Sequence, residues 1–456
     1  MEIYTNTDIK LLEQNIDEIH DKIQNIKYEI FDPTKTEMDQ ILNIVLDYVK
    51  KKKRKIYGGT AHNEIIKNIN KEDSFYKNSD IPDIDIYSYE PIIDIMKVSN
   101  ILAEKGFVDI EGREAQHKDT YSLFVKRVNY LDVSYVPKNI YNRMPYIEIN
   151  KLYYIHPTFA MIDFYRMLND PLTSFFRIEK SFKRLILLQK YFPIQKIKKP
   201  ILYSFETNET HQEALNLVFD FLKENTDNII LGEYSYNHFV KTSEINAPYI
   251  KELEITRYDF ISANYINDGK KLIKMLREKY KDKIKVKEYY PFFQFFGFNA
   301  TITLNDIPIA RIYHHNNKCL AYITKNKLKL ASFNLLVLFY LIHYIYARTN
   351  KIKNKMENMD IFISHLFQMR NYFLKKNNKT IFDKTPFEEF IIECIGETIE
   401  PMMEFNKRVK LRKSKGKPLI WSYKPTKDNI KEPDQTYIFS NYSGNPINNP
   451  KNLKLA

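Results

Sequence analysis

The chain has 456 residues, and its 70 lysine and arginine residues against 57 aspartate and glutamate residues give a formal net charge of +13. Hydrophobic residues make up 44% of the sequence, which excludes wholesale disorder, and the length suits two or three domains. The charge favours a polyanionic partner, either nucleic acid or an acidic membrane surface. Two cysteines, Cys319 and Cys394, are too few for a disulfide framework and fit a reducing compartment.

The N-terminal segment, residues 1–54, has the pattern of two helices. Apolar residues at helical spacing predict one amphipathic helix over 8–30 and a second over about Glu37–Lys53, and Pro33 separates them. The opening residues are polar and acidic, so we expect no secretory signal. The second helix ends in the basic run Lys50–Lys55, which suits a solvated helix C-terminus, a phosphate contact or a nuclear address.

A glycine pair stands between a short predicted strand and a predicted helix. The chain contains only 10 glycines, so Gly58 and Gly59 are conspicuous. A backbone without Cβ atoms can approach a phosphate closely, and the N-terminus of the following helix presents unpaired N–H groups and a positive dipole. Thr60 can add a hydroxyl, and Asn63 can either contact a nucleotide or pack in the fold. The pattern predicts a phosphate-binding turn at these residues.

Two aspartates follow in a segment of alternating polarity. Ile81–Tyr87 reads as a strand, in which Asp83 and Asp85 are two positions apart and share one face. Adjacent carboxylates repel each other unless a cation lies between them. Asp132, in a later alternating strand, can bring a third carboxylate to the same place. The pattern suits a divalent metal site on a sheet, and a solvated turn edge is the alternative.

The elements after these aspartates are predicted from periodicity. We expect a helix over Pro91–Lys105 and strands over Asp119–Val128 and Tyr130–Val136, with a turn at Asn129. Helical periodicity then continues over 157–192, interrupted near its middle. This mixture indicates a domain of the α/β or α+β class.

The second half of the chain resembles the first. Ile229–Asn237 echoes the glycine motif, and the offset between Gly58 and Gly232 is 232 − 58 = 174. The same offset takes Asp85 to Asp259. Strand-like segments and a helical region recur in the same order, which indicates a degenerate internal duplication.

The second copy lacks the charges that a metal site needs. At the constant offset, Arg257 stands in place of Asp83, and Glu233 stands in place of Gly59. The stretch that matches the strand of the third carboxylate is 307–312, with an aspartate only at its edge. An arginine repels a metal ion and a glutamate repels a phosphate. The second copy is therefore predicted to be structural or RNA-holding.

The glycine pair, the Pro-Asp-Ile-Asp-Ile segment and the later strand with Asp132 together resemble the nucleotidyltransferase fold of the DNA polymerase β superfamily. The wider context, with the helical stretch 157–192 and a carboxylate-poor second copy, is similar to the poly(A) polymerase catalytic subunit of large DNA viruses, the poxvirus and giant-virus type. The spacing between the glycine pair and the aspartate pair exceeds the usual spacing in the superfamily. An inserted loop is therefore expected between them.

The resemblance implies an α+β fold with two nucleotidyltransferase-like domains, each a mixed sheet with helices, of which the second is degenerate. N-terminal helices would precede these domains, and an extended basic C-terminal tail would follow them. The helical segment would span 1–54 and the catalytic domain 55–200. The degenerate domain with helices would span 201–415, and the tail 416–456.

The function that the resemblance implies is template-independent poly(A) polymerase activity, the addition of adenylates from ATP to the 3′ end of viral mRNA by two-metal phosphoryl transfer. Asp83, Asp85 and Asp132 would be catalytic and would hold two Mg²⁺ or Mn²⁺ ions. Nucleotide contacts would come from the glycine turn, at Gly58, Gly59, Thr60 and Asn63. Further contacts would come from a basic helix face, at Arg177, Lys180, Lys183 and Arg184, and a solvated helix face is the alternative for these four residues.

Two other functions remain open at this point: another RNA nucleotidyltransferase, of CCA-adding or oligoadenylate type, and a catalytically inactive RNA-binding subunit. The expected partners are ATP and an RNA 3′ end, and a homodimer is favoured over a separate processivity subunit. No membrane partner is expected, because the apolar stretch Leu330–Ala347 contains polar residues and reads as a core helix. The resemblance implies a location in the virion and the host cytoplasm, at the viral factory.

Overall fold

The structure is a computed structural model that describes residues 3–30, 32–77, 80–202, 208–314, 320–392, 394–395, 400–416, 420–426 and 443–455. Contacts between residues divide the chain into two compact units. Unit 1 comprises Met1–Tyr135, Tyr146–Ile155 and Phe405–Ile438. Unit 2 comprises Val136–Pro145, His156–Glu404 and Phe439–Ala456.

These units group the chain differently from the four ranges implied by the sequence. The N-terminal helices belong to unit 1 together with the first sheet, and the helical stretch that begins at His156 belongs to unit 2. The four ranges therefore stay predictions. The α+β class with two mixed sheets is confirmed, because each unit contains one sheet of eight strands together with helices.

The first half of the chain alternates helices and strands largely as its periodicity predicts. The second helix begins after Thr34, whose hydroxyl accepts a hydrogen bond from the backbone N–H of Glu37. The elements of this half are α1 (Asn6–Ile30), α2 (Lys35–Lys52), β1 (Lys55–Tyr57), α3 (Gly58–Ile69), β2 (Ile84–Ser88), α4 (Pro91–Glu104), β3 (Ile110–Glu114), β4 (Thr120–Val125), β5 (Val128–Tyr135), α5 (Lys138–Tyr141), β6 (Tyr146–Ile149), β7 (Leu152–Ile155), α6 (Pro157–Leu168), α7 (Pro171–Ser174) and α8 (Ile178–Tyr191).

The second half repeats this alternation and ends in short elements near the C-terminus. Its elements are α9 (Glu209–Glu224), β8 (Ile229–Ile230), α10 (Gly232–Ser243), β9 (Tyr258–Ser262), α11 (Tyr265–Tyr280), β10 (Ile284–Tyr289), β11 (Asn299–Leu304), β12 (Ile307–His314), β13 (Leu320–Lys325), β14 (Leu328–Ala331), α12 (Phe333–Thr349), α13 (Lys353–Lys376), β15 (Cys394–Ile395), α14 (Pro401–Ser414) and β16 (Ser422–Tyr423).

The sheet of unit 1 has the strand order β16-β3-β4-β5-β2-β1-β7-β6. The pairs β2–β5 and β1–β7 are parallel, and the other pairs are antiparallel. Ile84 and Ile86 of β2 and Leu131 and Val133 of β5 are buried on the core side. Because successive side chains of a strand point to opposite faces, the intervening polar residues of β2 and β5 lie on the other face of this sheet.

The sheet of unit 2 repeats seven of the eight strands of the first sheet. Its order is β10-β11-β12-β9-β8-β14-β13-β15, with β12–β9 and β14–β8 parallel. The run β10-β11-β12-β9-β8-β14-β13 thus has the same order and the same directions as β3-β4-β5-β2-β1-β7-β6. This repetition confirms the internal duplication that the sequence predicted.

The structure corrects two local predictions near the aspartates. The turn between β4 and β5 is formed by Lys126 and Arg127, which have positive φ angles of 47° and 67°, and Asn129 lies inside β5. A two-residue turn with both φ angles positive matches the twist of a hairpin. Asp83 lies just before β2 and not within it.

The apolar stretch near residue 340 is a core helix, as predicted. α12 is buried over most of its length in unit 2. No helix among the described residues is long and apolar enough to span a membrane. Cys394 is disulfide-bonded, and Cys319 lies outside the described residues.

The C-terminal segment was predicted as an extended tail, and its described parts are bound to the fold. β16 adds an edge strand to the sheet of unit 1. Near the end of the chain, the carboxylate of Glu288 accepts hydrogen bonds from the backbone N–H groups of Lys454 (2.9 Å) and Leu455 (3.2 Å). Leu455 is buried and packs on Gly269 of α11. Residues 417–419 and 427–442 of the predicted tail lie outside the described residues.

A buried histidine of unit 2 predicts a loss of stability in acid. His365 Nδ1 lies 2.9 Å from the Tyr236 hydroxyl and Nε2 lies 3.0 Å from the Lys199 carbonyl, and burial lowers the pKa of His365 to about 4. Between pH 6.5 and about 4 the unfolded chain binds more protons than the folded one. The free energy of unfolding should therefore fall on acidification through this window, by at most about 1.4 kcal/mol per pH unit.

Thermal or urea unfolding at several pH values measures this dependence. His365→Gln is expected to flatten the slope between pH 6.5 and about 4. His20→Gln, at an exposed position of α1, serves as the matched control and should leave the slope as in the parent chain. Equal slopes in the His365 variant and the parent would contradict the assignment.

Candidate active site

Three carboxylates meet on the polar face of the sheet of unit 1. Asp85 of β2 and Asp132 of β5 are direct register partners, and Asp83 precedes β2 by one residue. Register partners on neighbouring parallel strands point to the same side, so their carboxylates are adjacent. One oxygen from each of the three aspartates lies within 4.8 Å of the others. The structure thus brings together the three residues that the sequence singled out.

This donor set fits a divalent cation. Asp83 is exposed and Asp85 and Asp132 are half-buried, so the cluster is open to solvent on one side. Three carboxylates at this spacing repel one another, and a hard cation with oxygen ligands offsets that repulsion. Among the described residues this is the one group of three or more acidic, histidine or cysteine side chains with metal-binding spacing.

Asn129 is a site residue that the sequence interpretation missed. Its side-chain Nδ2 donates a hydrogen bond to Asp132 Oδ1 at 3.1 Å. Residues three apart in a regular strand point to opposite faces, but the pairing of β4 with β5 shifts register here, from Leu123 opposite Leu131 to Phe124 opposite Asn129. This bulge brings the amide onto the carboxylate's side. The pattern of polar residues alone carries no sign of the bulge.

Gly58 permits the close approach of helix α3 to Asp85. The helix begins at Gly58 itself, whose φ angle is +72°, and a Cβ atom at this position would lie 2.4 Å from Asp85 Oδ2. Any side chain larger than hydrogen would collide with the carboxylate. Gly59 is buried in the same first turn. The first N–H groups of α3, which have no partner within the helix, therefore begin next to the aspartate cluster.

Thr60 and Asn63 have structural partners in unit 1. The Thr60 hydroxyl donates to the backbone carbonyl of Asp83 at 2.9 Å, which ties the start of α3 to the segment that enters β2. Asn63 is buried, and its Oδ1 accepts hydrogen bonds from the backbone N–H groups of Phe75 (2.9 Å) and Tyr76 (3.0 Å). Asn63 thus holds the loop between α3 and β2, where an insertion was expected. Its predicted nucleotide contact stays a prediction.

The basic residues predicted to contact the triphosphate belong to unit 2. Lys183 is exposed and pairs with Glu179 one turn earlier at 2.6 Å, which is an ordinary surface ion pair. Their nucleotide contact stays a prediction, since the aspartate cluster belongs to unit 1. Arg177 ends the 3₁₀ turn before α8. The other three residues, Lys180, Lys183 and Arg184, lie within α8.

The second copy carries a charge-inverted version of the same arrangement. In unit 2, Asp259 of β9 is the register partner of Arg311 of β12, as Asp85 is of Asp132 in unit 1. Arg311 therefore occupies the position of Asp132. From the sequence alone, the counterpart of Asp132 could be placed only within residues 307–312. At the constant offset, Arg257 already stands at the position of Asp83. Arginines therefore replace two of the three carboxylates in the second copy.

The glycine of the second copy is retained. Gly232 begins α10 with a φ angle of +60°, and a Cβ atom there would lie 2.9 Å from Asp259 Oδ2. The same left-handed turn thus presses a helix start against the same aspartate position in both units. The backbone frame of the site was kept in the second copy, while its carboxylate set was lost.

A mixed sheet with an aspartate triad beside a glycine-led helix, followed by a second such sheet without the triad, defines a nucleotidyltransferase with two related domains. The family model of the poly(A) polymerase catalytic subunit matches residues 43–174, and the model described as "APMV, Putative poly(A) polymerase, catalytic subunit, C-terminal" matches residues 186–456. The chain belongs to the poly(A) polymerase catalytic subunit family of large DNA viruses, and it is an enzyme of the transferase class.

Individual relatives agree with this assignment. The putative poly(A) polymerase catalytic subunit of Acanthamoeba polyphaga mimivirus is 31% identical over 491 residues, covering 99% of this chain and 84% of the relative. The protein of the same description from African swine fever virus (strain Badajoz 1971 Vero-adapted) is 29% identical over 177 residues, covering 38% of this chain and 37% of the relative. The crystal structure of the Megavirus polyadenylate synthase has a TM-score of 0.94 and 33% identity, covering 99% of this chain and 94% of that one.

Proposed function

We propose that this chain adds adenylates from ATP, without a template, to the 3′ ends of viral mRNA by two-metal phosphoryl transfer. The observation that carries the proposal is the aspartate cluster of unit 1, in which three carboxylate oxygens lie within 4.8 Å of one another at the start of a glycine-led helix. Membership of the poly(A) polymerase family supports the choice of reaction.

The donor set supports Mg²⁺ or Mn²⁺ as the cofactor. Carboxylate oxygens are the ligands that these hard cations prefer. Asp83, Asp85 and Asp132 would hold two such ions, which when bound supply neutralisation of phosphoryl charge and activation of a hydroxyl nucleophile. Asn129 keeps one oxygen of Asp132 in a fixed orientation through its 3.1 Å hydrogen bond. Asn129 is thus a positioning residue.

The start of α3 provides the proposed phosphate contact. The N–H groups of its first turn have no intrahelical partner and carry the positive end of the helix dipole, so they favour the anionic outer phosphates of ATP. Gly58 lets this turn reach the aspartates, and Thr60 fixes the backbone of Asp83 by its 2.9 Å hydrogen bond. The 3′-hydroxyl of the RNA would attack the α-phosphate, and pyrophosphate would leave. The chain's contribution is placement and electrostatic complementarity.

The extension of a short RNA by each nucleotide in turn tests the proposal. Purified protein with ATP and Mg²⁺ or Mn²⁺ is expected to give a ladder of products, and CTP, GTP and UTP should give little or none. Incorporation of CTP, or formation of 2′–5′ linkages, would instead support a CCA-adding or oligoadenylate-type enzyme. A folded protein that extends no RNA with either metal would support an inactive RNA-binding subunit.

The assembly and location follow as parts of the same proposal. The net charge of +13 supports RNA as a partner, and the salt dependence of RNA affinity would report the number of phosphate contacts. We favour a homodimer, which sedimentation would distinguish from a monomer that requires a processivity subunit. The proposed location is the virion and the host cytoplasm, which immunolocalisation in infected cells would test.

A further inference from the structure

The charge-inverted site of the second copy opens into a cavity within unit 2. The cavity lies where α10 begins, beside β9, α12 and α13, and its empty space of about 300 Å³ includes open solvent. It is the counterpart of the place where the aspartates and the helix start meet in unit 1. Its lining includes Glu233, Arg257, Asp259, His343 and Lys355.

Cations outnumber carboxylates around this cavity. Arg257 Nε donates to Asp259 Oδ2 at 3.1 Å, and Arg311 stands opposite the same aspartate across the β9–β12 register. Lys355 from α13 adds a third cation. Burial, then the charges of Arg311 and Arg257, lower the pKa of Lys355 to about 7, although Asp259 acts in the opposite direction. One aspartate therefore balances only part of the positive charge.

The other carboxylate of the lining is directed to a local partner. Glu233 is buried, and its two oxygens accept hydrogen bonds from the Thr256 backbone N–H (2.8 Å) and hydroxyl (3.0 Å). Arg257, Arg311 and Lys355 thus face two carboxylates, and the positive surplus reaches one full charge only where Lys355 is protonated, below its pKa of about 7. Arg257 is 33% exposed, so the surplus charge is reachable from solvent.

Three buried atoms have no hydrogen-bond partner among the described residues: Nε of Arg311, the register partner of Asp259, and His343 Nδ1 and Asp259 Oδ1 of the lining. The first is a donor. The second is a donor in the tautomer in which the Tyr313 hydroxyl, 2.9 Å away, donates to His343 Nε2. The third is an acceptor. Buried polar groups without partners are costly, so this set matches a ligand that brings anionic oxygens and one hydroxyl. Hydrogen phosphate and singly protonated phosphate monoesters have this composition.

The comparison with unit 1 leads to the same ligand. Three carboxylates beside a helix start favour bound cations, and in the second copy two arginines stand at the positions of Asp83 and Asp132 and supply positive charge from the protein itself. The glycine turn and the 12-residue helix α10 retain the helix N-terminus that favours an anion. We propose that the cavity lined by Arg257, Asp259 and Lys355, with Arg311 in register opposite Asp259, binds a terminal phosphate group without a metal ion.

Titration of the full-length protein with inorganic phosphate in the presence of EDTA tests this site. The parent chain is expected to bind phosphate saturably at one site, and Lys355→Met should weaken binding at least tenfold. Lys353→Met, at an exposed position of the same helix, is the matched control and should bind as the parent does. Without phosphate, Lys355→Met should be as thermostable as the parent or more so, because it removes a charge that its neighbours repel. A purely structural lysine would instead give a loss of stability.

A second variant protects the test against misfolding. Arg257→Gln changes a partly exposed side chain and is also expected to weaken phosphate binding at least tenfold. Absence of phosphate binding by the parent, or parent-like binding by both variants, would overturn the proposal. Failure of the RNA extension assay with phosphate binding intact would count against the proposed function alone, since this site lies in unit 2 and is measured without metal.

Competition identifies the source of the phosphate group. Displacement by ATP or AMP indicates a nucleotide, and displacement by 5′-phosphorylated oligo(A) indicates an RNA end; both results support a terminal-phosphate site. Equal displacement by the same oligo(A) without its 5′-phosphate would overturn the selection of terminal phosphate, because internal phosphodiesters have no hydroxyl on phosphorus.

Discussion

Replacing Asp83, Asp85 or Asp132 singly with asparagine is expected to lower the rate of adenylate addition by about 10³-fold or more. Asparagine keeps the shape of the side chain and one oxygen but removes the negative charge that divalent ions need. The three carboxylates lie within 4.8 Å of one another and would serve the same ions, so each loss should be severe and double variants should be little worse than single ones. Single-nucleotide addition under saturating RNA measures the rate.

A stability measurement separates lost chemistry from lost fold. The aspartates repel one another when no metal is bound, so each asparagine variant should unfold at the same temperature as the parent or higher in EDTA. Asp80→Asn is the control, because Asp80 is exposed and its carboxylate accepts a local hydrogen bond from the Lys77 backbone N–H at 2.8 Å. A triad variant that extends RNA at the parent rate would remove that residue from the proposed metal site.

The sequence sufficed for the parts of the site that follow from regular geometry. The two-residue spacing at the start of β2 brings Asp83 next to Asp85, and parallel pairing of β2 with β5 adds Asp132. The repeat of a glycine and an aspartate at one offset revealed the second copy because both residues are needed where the helix start touches the strand. These features depend on spacing within short segments, which a sequence displays directly.

The parts that escaped prediction depend on breaks in regular geometry. Asn129 reaches Asp132 because the register shifts between β4 and β5, and no residue type in the sequence indicates that shift. Arg311 could not be matched to Asp132 because the loops of the two copies differ in length, so only strand pairing fixes the correspondence. The grouping of the helices after His156 with unit 2 depends on long-range contacts, which local periodicity does not encode.

The role of Asn63 shows a different limit. Its position after the glycine pair suited either a nucleotide contact or packing, and both need the same polar side chain. In the structure its Oδ1 accepts from two backbone N–H groups and from the Ser74 hydroxyl at 3.0 Å. Those donors come from a loop whose path depends on tertiary structure. Residue type therefore could not separate the two roles, and only the partners in the fold favour packing.

Gly58→Ala is expected to lower adenylate addition by more than about 10²-fold. The added Cβ would lie 2.4 Å from Asp85 Oδ2, which no real contact tolerates, so either the carboxylate or the start of α3 must move. Both movements separate the helix N-terminus from the aspartates. The φ angle of +72° adds strain of about 1–3 kcal/mol for any residue other than glycine. The rate of single-nucleotide addition and the unfolding temperature together measure the two effects.

Gly106→Ala isolates the contribution of strain alone. Gly106 follows α4 with a φ angle of +90°, and a Cβ there would meet nothing within 4 Å. This variant should lose a similar amount of stability to backbone strain and keep the parent rate. If both variants were equally destabilised and only Gly58→Ala were slow, the contact with Asp85 would account for the lost rate. If Gly58→Ala instead kept the parent rate, the close approach of α3 to Asp85 would be unnecessary for the reaction, and the phosphate contact assigned to the start of α3 would have to be abandoned.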